Sequence, residues 1–223
     1  MQEEWFESAH FSSTCKCNVM GNIMSLLYGD NFRDKTILIN NYTFMGLFCD
    51  LMDYDNIYCD IVNAKNLILP ATTLSTYCYY GMFAGCTALT TAPELPATTL
   101  TYNCYNSMFH GCTALTTAPE LHATTLTDNC YTAMFCYCTS LTTAPELPAT
   151  TLTYYCYDSM FNGCTSLNYI KAMFTTTPST RYTNYWVNNV AATGTFVKNS
   201  AAEWDITGIN GIPTGWTVET VSE

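Results

Sequence analysis

Two columns of cysteine, a column of glutamate and three histidines are the groups in this chain whose types and spacing could do chemistry. Cys78, Cys104, Cys130 and Cys156 recur at one interval and Cys86, Cys112, Cys138 and Cys164 at the same interval, eight of the thirteen cysteines present. Thiols so placed could bridge or bind a metal. Within one unit the two cysteines are eight residues apart, roughly 12 Å along a helix and beyond disulfide reach. Equivalent cysteines in adjacent units, at about the strand spacing of 5 Å, are within reach. Zinc is disfavoured because no Cys-x-x-Cys pair exists, and Cys15-x-Cys17 and Cys136-x-Cys138 carry little. The simpler expectation is a stack of buried thiols acting as small hydrophobes, with no metal and no cofactor.

Glu94, Glu120 and Glu146 recur in the same way. A carboxylate column at about 5 Å spacing could hold calcium, but solvated side chains are the simpler reading. The histidines are His10, His110 and His122. None stands in a nucleophile or metal constellation, so no catalytic residue and no enzyme is expected.

These groups recur because the chain around them recurs. Leu69-Pro70-Ala71-Thr72-Thr73-Leu74 returns at Leu95, at Leu121 (with His122 for the proline) and at Leu147. Each copy is followed by Cys-Tyr-x-x-Met-Phe-x-x-Cys-Thr, from Cys78, Cys104, Cys130 and Cys156, and three copies end in Leu-Thr-Thr-Ala-Pro-Glu. A period of 26 residues without insertion predicts stacked units in a solenoid. The expected class is α/β, each coil a short parallel strand plus a short helix. Residues 1–40 read as an N-terminal cap, 41–68 as a degenerate first coil, 69–173 as four repeats and 174–223 as a C-terminal cap. Leu89–Leu95 reads as the strand, limited by Pro93. Thr101 reads as a helix N-cap and Gly111 as the residue ending that helix. In the caps, Gly21–Tyr28 and Thr183–Val190 read as helices. Gly194–Lys198 and Trp216–Val218 read as strands, and Trp186, Trp204 and Trp216 as the bulk that seals the end.

On a helical wheel, Cys78, Tyr79, Met82, Phe83 and Cys86 fall in one arc that does not change among the copies. Thr76, Tyr77, Tyr80, Gly81 and Ala84 and their equivalents fall opposite and do change. None of the twenty varying residues is Lys, Glu, Gln or Arg, the residues a freely drifting helix surface collects. They are Tyr, Asn, Asp, Ser, Thr, Ala, Gly, His or Cys, close to the composition of antibody contact loops. All nine have codons ending in a pyrimidine, as adenine-directed diversification by a retroelement would leave them. The expected contact face is Tyr77, Tyr80, Tyr102, Asn103, Asn106, His110, Asp128, Asn129, Tyr154, Tyr155, Asp158 and Asn162, exposed and continuous, with a protein or glycan as partner.

A net charge of −11, from 7 basic and 18 acidic residues, argues against a nucleic-acid partner and an anionic membrane surface. No apolar run is long enough to span a bilayer, so no membrane insertion is expected. The acidic start, Met1 to Glu7, lacks the basic region of a secretory signal. The expectation is a chain that is cytoplasmic, released by lysis or part of something longer.

The unit Met-Phe-x-Gly-Cys-Thr-x-Leu at Met82, Met108 and Met160 resembles the BspA-like branch of the leucine-rich repeat proteins. The Leu-Pro-Ala-Thr-Thr-Leu wording, Gly21 to Phe32 and the ending Gly-Ile-Pro-Thr-Gly-Trp look like its form in gut Bacteroidales and their phages. The resemblance covers residues 20 to 218. It implies a right-handed leucine-rich-repeat solenoid, binding or adhesion at a cell surface or on a virion, and no catalytic residues. A phage receptor-binding part and a purely structural spacer are the alternatives.

Overall fold

The computed structural model describes Phe11, residues 13–49 and residues 59–222. It is a mixed structure with few helices and short parallel strands in open sheets. β1 (Ser13–Asn22) lies parallel to β2 (Cys59–Ile68), with Cys17 opposite Ile61 and Asn22 opposite Ile68. β3 (Tyr169–Ala172), β4 (Thr195–Asn199) and β5 (Thr217–Val221) form a second parallel sheet in that order. Single bridges join Asn63 to Thr91, Thr91 to Thr117 and Thr143 to Tyr169. The strand expected over Leu89–Leu95 is thus reduced to a bridge at Thr91, because Pro93 has no N–H to extend the ladder.

The expected helix in each repeat is absent. Residues 76–85 run as consecutive turns, with positive φ at Tyr77 (57°), Gly81 (58°) and Gly85 (72°), a backbone no α-helix contains. Two sets of hydrogen bonds alternate along them. Cys78, Tyr80, Met82, Ala84 and Cys86 donate three residues back, to Ser75, Tyr77, Tyr79, Gly81 and Phe83. Tyr77, Tyr79, Gly81, Phe83 and Gly85 donate forward to the carbonyls of Tyr102, Cys104, Asn106, Met108 and His110 in the next unit, at 2.7–3.1 Å. Every N–H from Tyr77 to Cys86 is therefore used without a side chain. The same ribbon repeats at Asn103–Cys112, Asn129–Cys138 and Tyr155–Cys164. Tyr42, Phe44, Gly46 and Phe48 donate into it from the N-terminal side, to Thr76, Cys78, Tyr80 and Met82. Left-handed backbone costs about 1–2 kcal/mol per non-glycine residue; bonding to the neighbouring unit offsets it.

The other expected helices are also corrected. Only Ser25–Tyr28 of Gly21–Tyr28 is helical (α1), and Thr183–Val190 continues the ribbon, with positive φ at Tyr185 and Asn189. Thr101 caps no helix: its carbonyl accepts from the Cys104 N–H, and its hydroxyl is buried without a partner, like those of Thr127 and Thr153. Gly111 has the expected positive φ, but inside the ribbon.

The constant residues form the core. Cys78, Tyr79, Met82, Phe83 and Cys86 and their equivalents are buried in all four units. Phe83, Phe109, Phe135 and Phe161 stack at centroid distances of 5.6, 5.6 and 5.9 Å. Tyr79, Tyr105, Tyr131 and Tyr157 stack beside them at 5.7, 5.9 and 6.1 Å. Both columns end on Trp186, which with Trp204 and Trp216 is buried. The C-terminal loop completes the seal. The Tyr185 N–H is met by the Asn210 side-chain oxygen, the Val187 N–H by the Ile209 carbonyl, and Trp186 Nε1 donates to the Gly211 carbonyl. Among the described residues, no helix is long and apolar enough to cross a membrane.

Candidate binding face

The ribbon projects side chains outward at the positions that vary. Of the residues expected there, Tyr102, Tyr154 and Tyr155 are 44–49% exposed, and Asp128 is exposed. Tyr77, Tyr80, Asn106, His110, Asn129, Asp158 and Asn162 are half-buried. Asn103 is a correction: it is buried, at 4% exposure, where its Oδ1 accepts from Asn106 Nδ2 at 2.7 Å. Gly81 and Ala84 are likewise covered.

Three of the polar members join one unit to the next. Asp128 Oδ1 accepts from the Tyr154 N–H at 3.1 Å. Asp158 accepts from Ser159 Oγ at 2.7 Å and from Asn184 Nδ2 at 3.3 Å. Asn162 Oδ1 accepts from Asn188 Nδ2 at 2.9 Å. Such bonds are a structural reason for Asn, Asp and Ser on this face. Since the ribbon is not a helix, the scarcity of helix-forming residues is no longer evidence of selection: Lys and Glu have no advantage in this backbone.

The tyrosines are different. Across residues 69–205, every exposed large hydrophobic side chain is a ribbon tyrosine: Tyr102, Tyr137, Tyr154, Tyr155 and Tyr185. Tyr137 and Tyr185 were not among the expected contact residues. Their register in the repeat, at the third and second left-handed positions, is the signal that places them there.

Three aromatic groups result. Tyr77 stacks on Tyr42 at 5.0 Å and meets Tyr80 and Tyr102 at 5.6 Å. Burial, then Tyr102 and Tyr42, raise its phenol pKa, so it remains a neutral donor. At the other end, Tyr154 faces Tyr182 at 6.4 Å, with the Arg181 guanidinium 5.0 Å from its ring. His110 meets the ring of Tyr137 edge-on at 5.6 Å, and burial lowers its imidazole pKa.

The thiols are packing groups. Burial pushes Cys104 up to about 12 and Cys136 and Cys156 up to about 11, and raises Cys78, Cys112, Cys130, Cys138 and Cys164 as well. A protonated thiol is a poor nucleophile and metal ligand. Cys112, Cys138 and Cys164 instead donate to the carbonyls of Phe83, Phe109 and Phe135 at 3.0–3.2 Å. Cys86 departs from the expected stack of thiols, being disulfide-bonded. Its column neighbour Cys112 is free, so that bond does not run along the column. Glu146 pairs with Lys171 at 2.8 Å. Among the described residues, no group of three or more His, Cys, Asp or Glu is placed to hold a metal.

No protein-family model, curated protein or solved structure matches the chain.

Proposed function

We propose that this chain is a non-catalytic binding or adhesion module, a right-handed leucine-rich-repeat solenoid of the BspA-like kind, displayed on a cell surface or virion. It recognises a protein or glycan through the tyrosines of its outer ribbon. The supporting observation is that exposed aromatic surface across the repeats is confined to that ribbon and consists of tyrosine alone. Tyrosine offers large, rigid contact area together with a hydroxyl, at small conformational cost. The backbone supports the reading too, since the N–H groups from Tyr77 to Cys86 bond without side chains, which leaves the outward tyrosines open to variation, by retroelement diversification or otherwise. The solenoid rests on the unit-to-unit bonding and the 26-residue period.

The test is binding of the labelled chain to cultured gut bacterial cells. Replacing Tyr102 and Tyr154 with Ala should remove most of the signal and leave the melting temperature nearly unchanged, while Thr116→Ala should retain it. Loss of binding with Thr116→Ala and none with the tyrosine pair would move the site off the ribbon. A chain that binds no cell and no extracted surface component would favour the spacer.

A further inference from the structure

Four successive coils present one side chain each at the same position of the ribbon: Tyr102, Asp128, Tyr154 and Arg181. Their carbonyls accept in turn from the N–H groups of Tyr77, Asn103, Asn129 and Tyr155 in the coil before, so the four share one register. All four are exposed. Along the axis the column therefore alternates ring, carboxylate, ring, guanidinium. Hydrogen-bonded coils advance by about the strand spacing of 5 Å, which sets the two rings about 10 Å apart with Asp128 midway.

The column is held from behind. Tyr77 meets the Tyr102 ring edge-on at 5.6 Å. The Arg181 guanidinium lies 5.0 Å from the centre of the Tyr154 ring, and the ring of Tyr182 lies 6.4 Å away. Asp128 Oδ1 takes the Tyr154 N–H at 3.1 Å, and Oδ2 has no bond among the described residues. Side chains placed before a ligand arrives lose little freedom when it binds.

A ligand that matches this column must itself alternate. In an extended β-1,4-linked hexopyranose chain each sugar advances about as far as one coil, roughly 5 Å. Successive sugars are turned over, so alternate sugars show the same face to one side. The C–H groups of such a face pack on an aromatic ring. The sugars between them present hydroxyls, which donate to a carboxylate and accept from a guanidinium. A protein partner imposes no such two-coil period.

Resting on the binding role of the ribbon, we propose that its ligand is an unbranched, neutral β-1,4-linked glycan lying along the solenoid axis. Tyr102 and Tyr154 stack on alternate sugars. Asp128 bonds the hydroxyls of the sugar between them and repels a uronate there, and Arg181 bonds the sugar beyond Tyr154.

Isothermal titration of the full chain with cellohexaose and chitohexaose tests this, the second probe distinguishing chitin-type from glucan chains. At least one should bind with a Kd between about 10 µM and 1 mM, and the corresponding disaccharide about tenfold or more weakly. Maltohexaose, whose α-1,4 linkages coil the chain, should also be weaker by about tenfold or more. Tyr102→Ala and Tyr154→Ala should each weaken the better hexaose about tenfold, and Asp128→Asn about threefold. Tyr102→Asp combined with Asp128→Tyr keeps the composition but sets the rings on adjacent coils, and should bind no better than Tyr102→Ala. Circular dichroism and melting of each variant confirm that it is folded. If neither hexaose binds through about 1 mM while the tyrosine pair still removes attachment to cells, the glycan is overturned and a protein is the partner on the ribbon. If attachment and hexaose binding both ignore the tyrosines, the ribbon's binding role falls as well. Equal binding of maltohexaose, or full binding by the exchanged variant, would overturn the proposal through its spacing.

Discussion

The ring of Tyr137 lies over Gly163. A β-carbon at position 163 would meet Tyr137 Cδ1 at 2.4 Å and Cε1 at 2.7 Å, and Gly163 has a φ of +76°. Tyr137 occupies the left-handed position that Gly85, Gly111 and Gly163 hold in the other units, with a φ of 60°. The glycine at 163 therefore answers two demands, backbone and neighbour.

The two demands separate in a double-mutant cycle. Gly163→Ala should cost about 2 kcal/mol or more in the parent chain, and nearer 1 kcal/mol once Tyr137→Gly removes the ring. Tyr137→Gly alone should stabilise by about 1 kcal/mol, by relieving a left-handed tyrosine. Urea unfolding of the four proteins measures both terms. Equal costs for Gly163→Ala in both backgrounds would mean that the ring does not constrain that site.

Ala133 separates ribbon from helix by sign. With a φ of 50°, Ala133→Gly should stabilise by about 1 kcal/mol. In an α-helix the same change would destabilise by about 1 kcal/mol. The direction of the shift in the urea midpoint decides between them.

That contrast also shows what the sequence could reveal. The inward set Cys78, Tyr79, Met82, Phe83 and Cys86 recurs every four residues, close enough to 3.6 over eleven positions that a helical wheel finds the core in the wrong backbone, while leaving the buried Gly81, Ala84 and Asn103 on its outer arc. What the wheel could not supply is the bonding of each N–H. The ribbon exists only because the next unit offers carbonyls, and a unit read alone carries no trace of that. Left-handed residues such as Asn103, Asn129 and Ser107 were the local clue, since Asn tolerates positive φ, but Tyr77, Tyr155 and Ala133 masked it. Asn103 differs from its more open equivalents Tyr77, Asn129 and Tyr155 only in its burial and its bond to Asn106, which no periodicity reveals, and Tyr185 falls in a segment that reads as a cap helix.

Truncation of the phenylalanine column should be severe. Phe109 is fully buried between Phe83 and Phe135, so Phe109→Ala should cost about 3–5 kcal/mol. A cost below about 1 kcal/mol, by chemical denaturation, would mean that the column does not carry the core.

His110 gives the chain a pH dependence of known sign. Its folded pKa is lowered by burial from an ordinary value of 6.5, so the unfolded state takes up the proton first as pH falls. The histidine's contribution is intact above about pH 6.5 and declines as pH drops from there through the lower folded value. His110→Asn should flatten that part of the stability–pH curve. An unchanged slope between pH 6.5 and 5 would place the titration elsewhere.

The central claim is that the interior and the backbone bonds carry the fold while the outer tyrosines are left for contact. One measurement tests it most directly: the melting temperature of a chain with Tyr102, Tyr154, Tyr155 and Tyr185 all changed to Ser. Exposed substitutions cost up to about 0.5 kcal/mol each, so the account predicts a fall of no more than about 8 °C. A fall beyond about 15 °C would show that these tyrosines hold the structure together, and would contradict their assignment to a binding face.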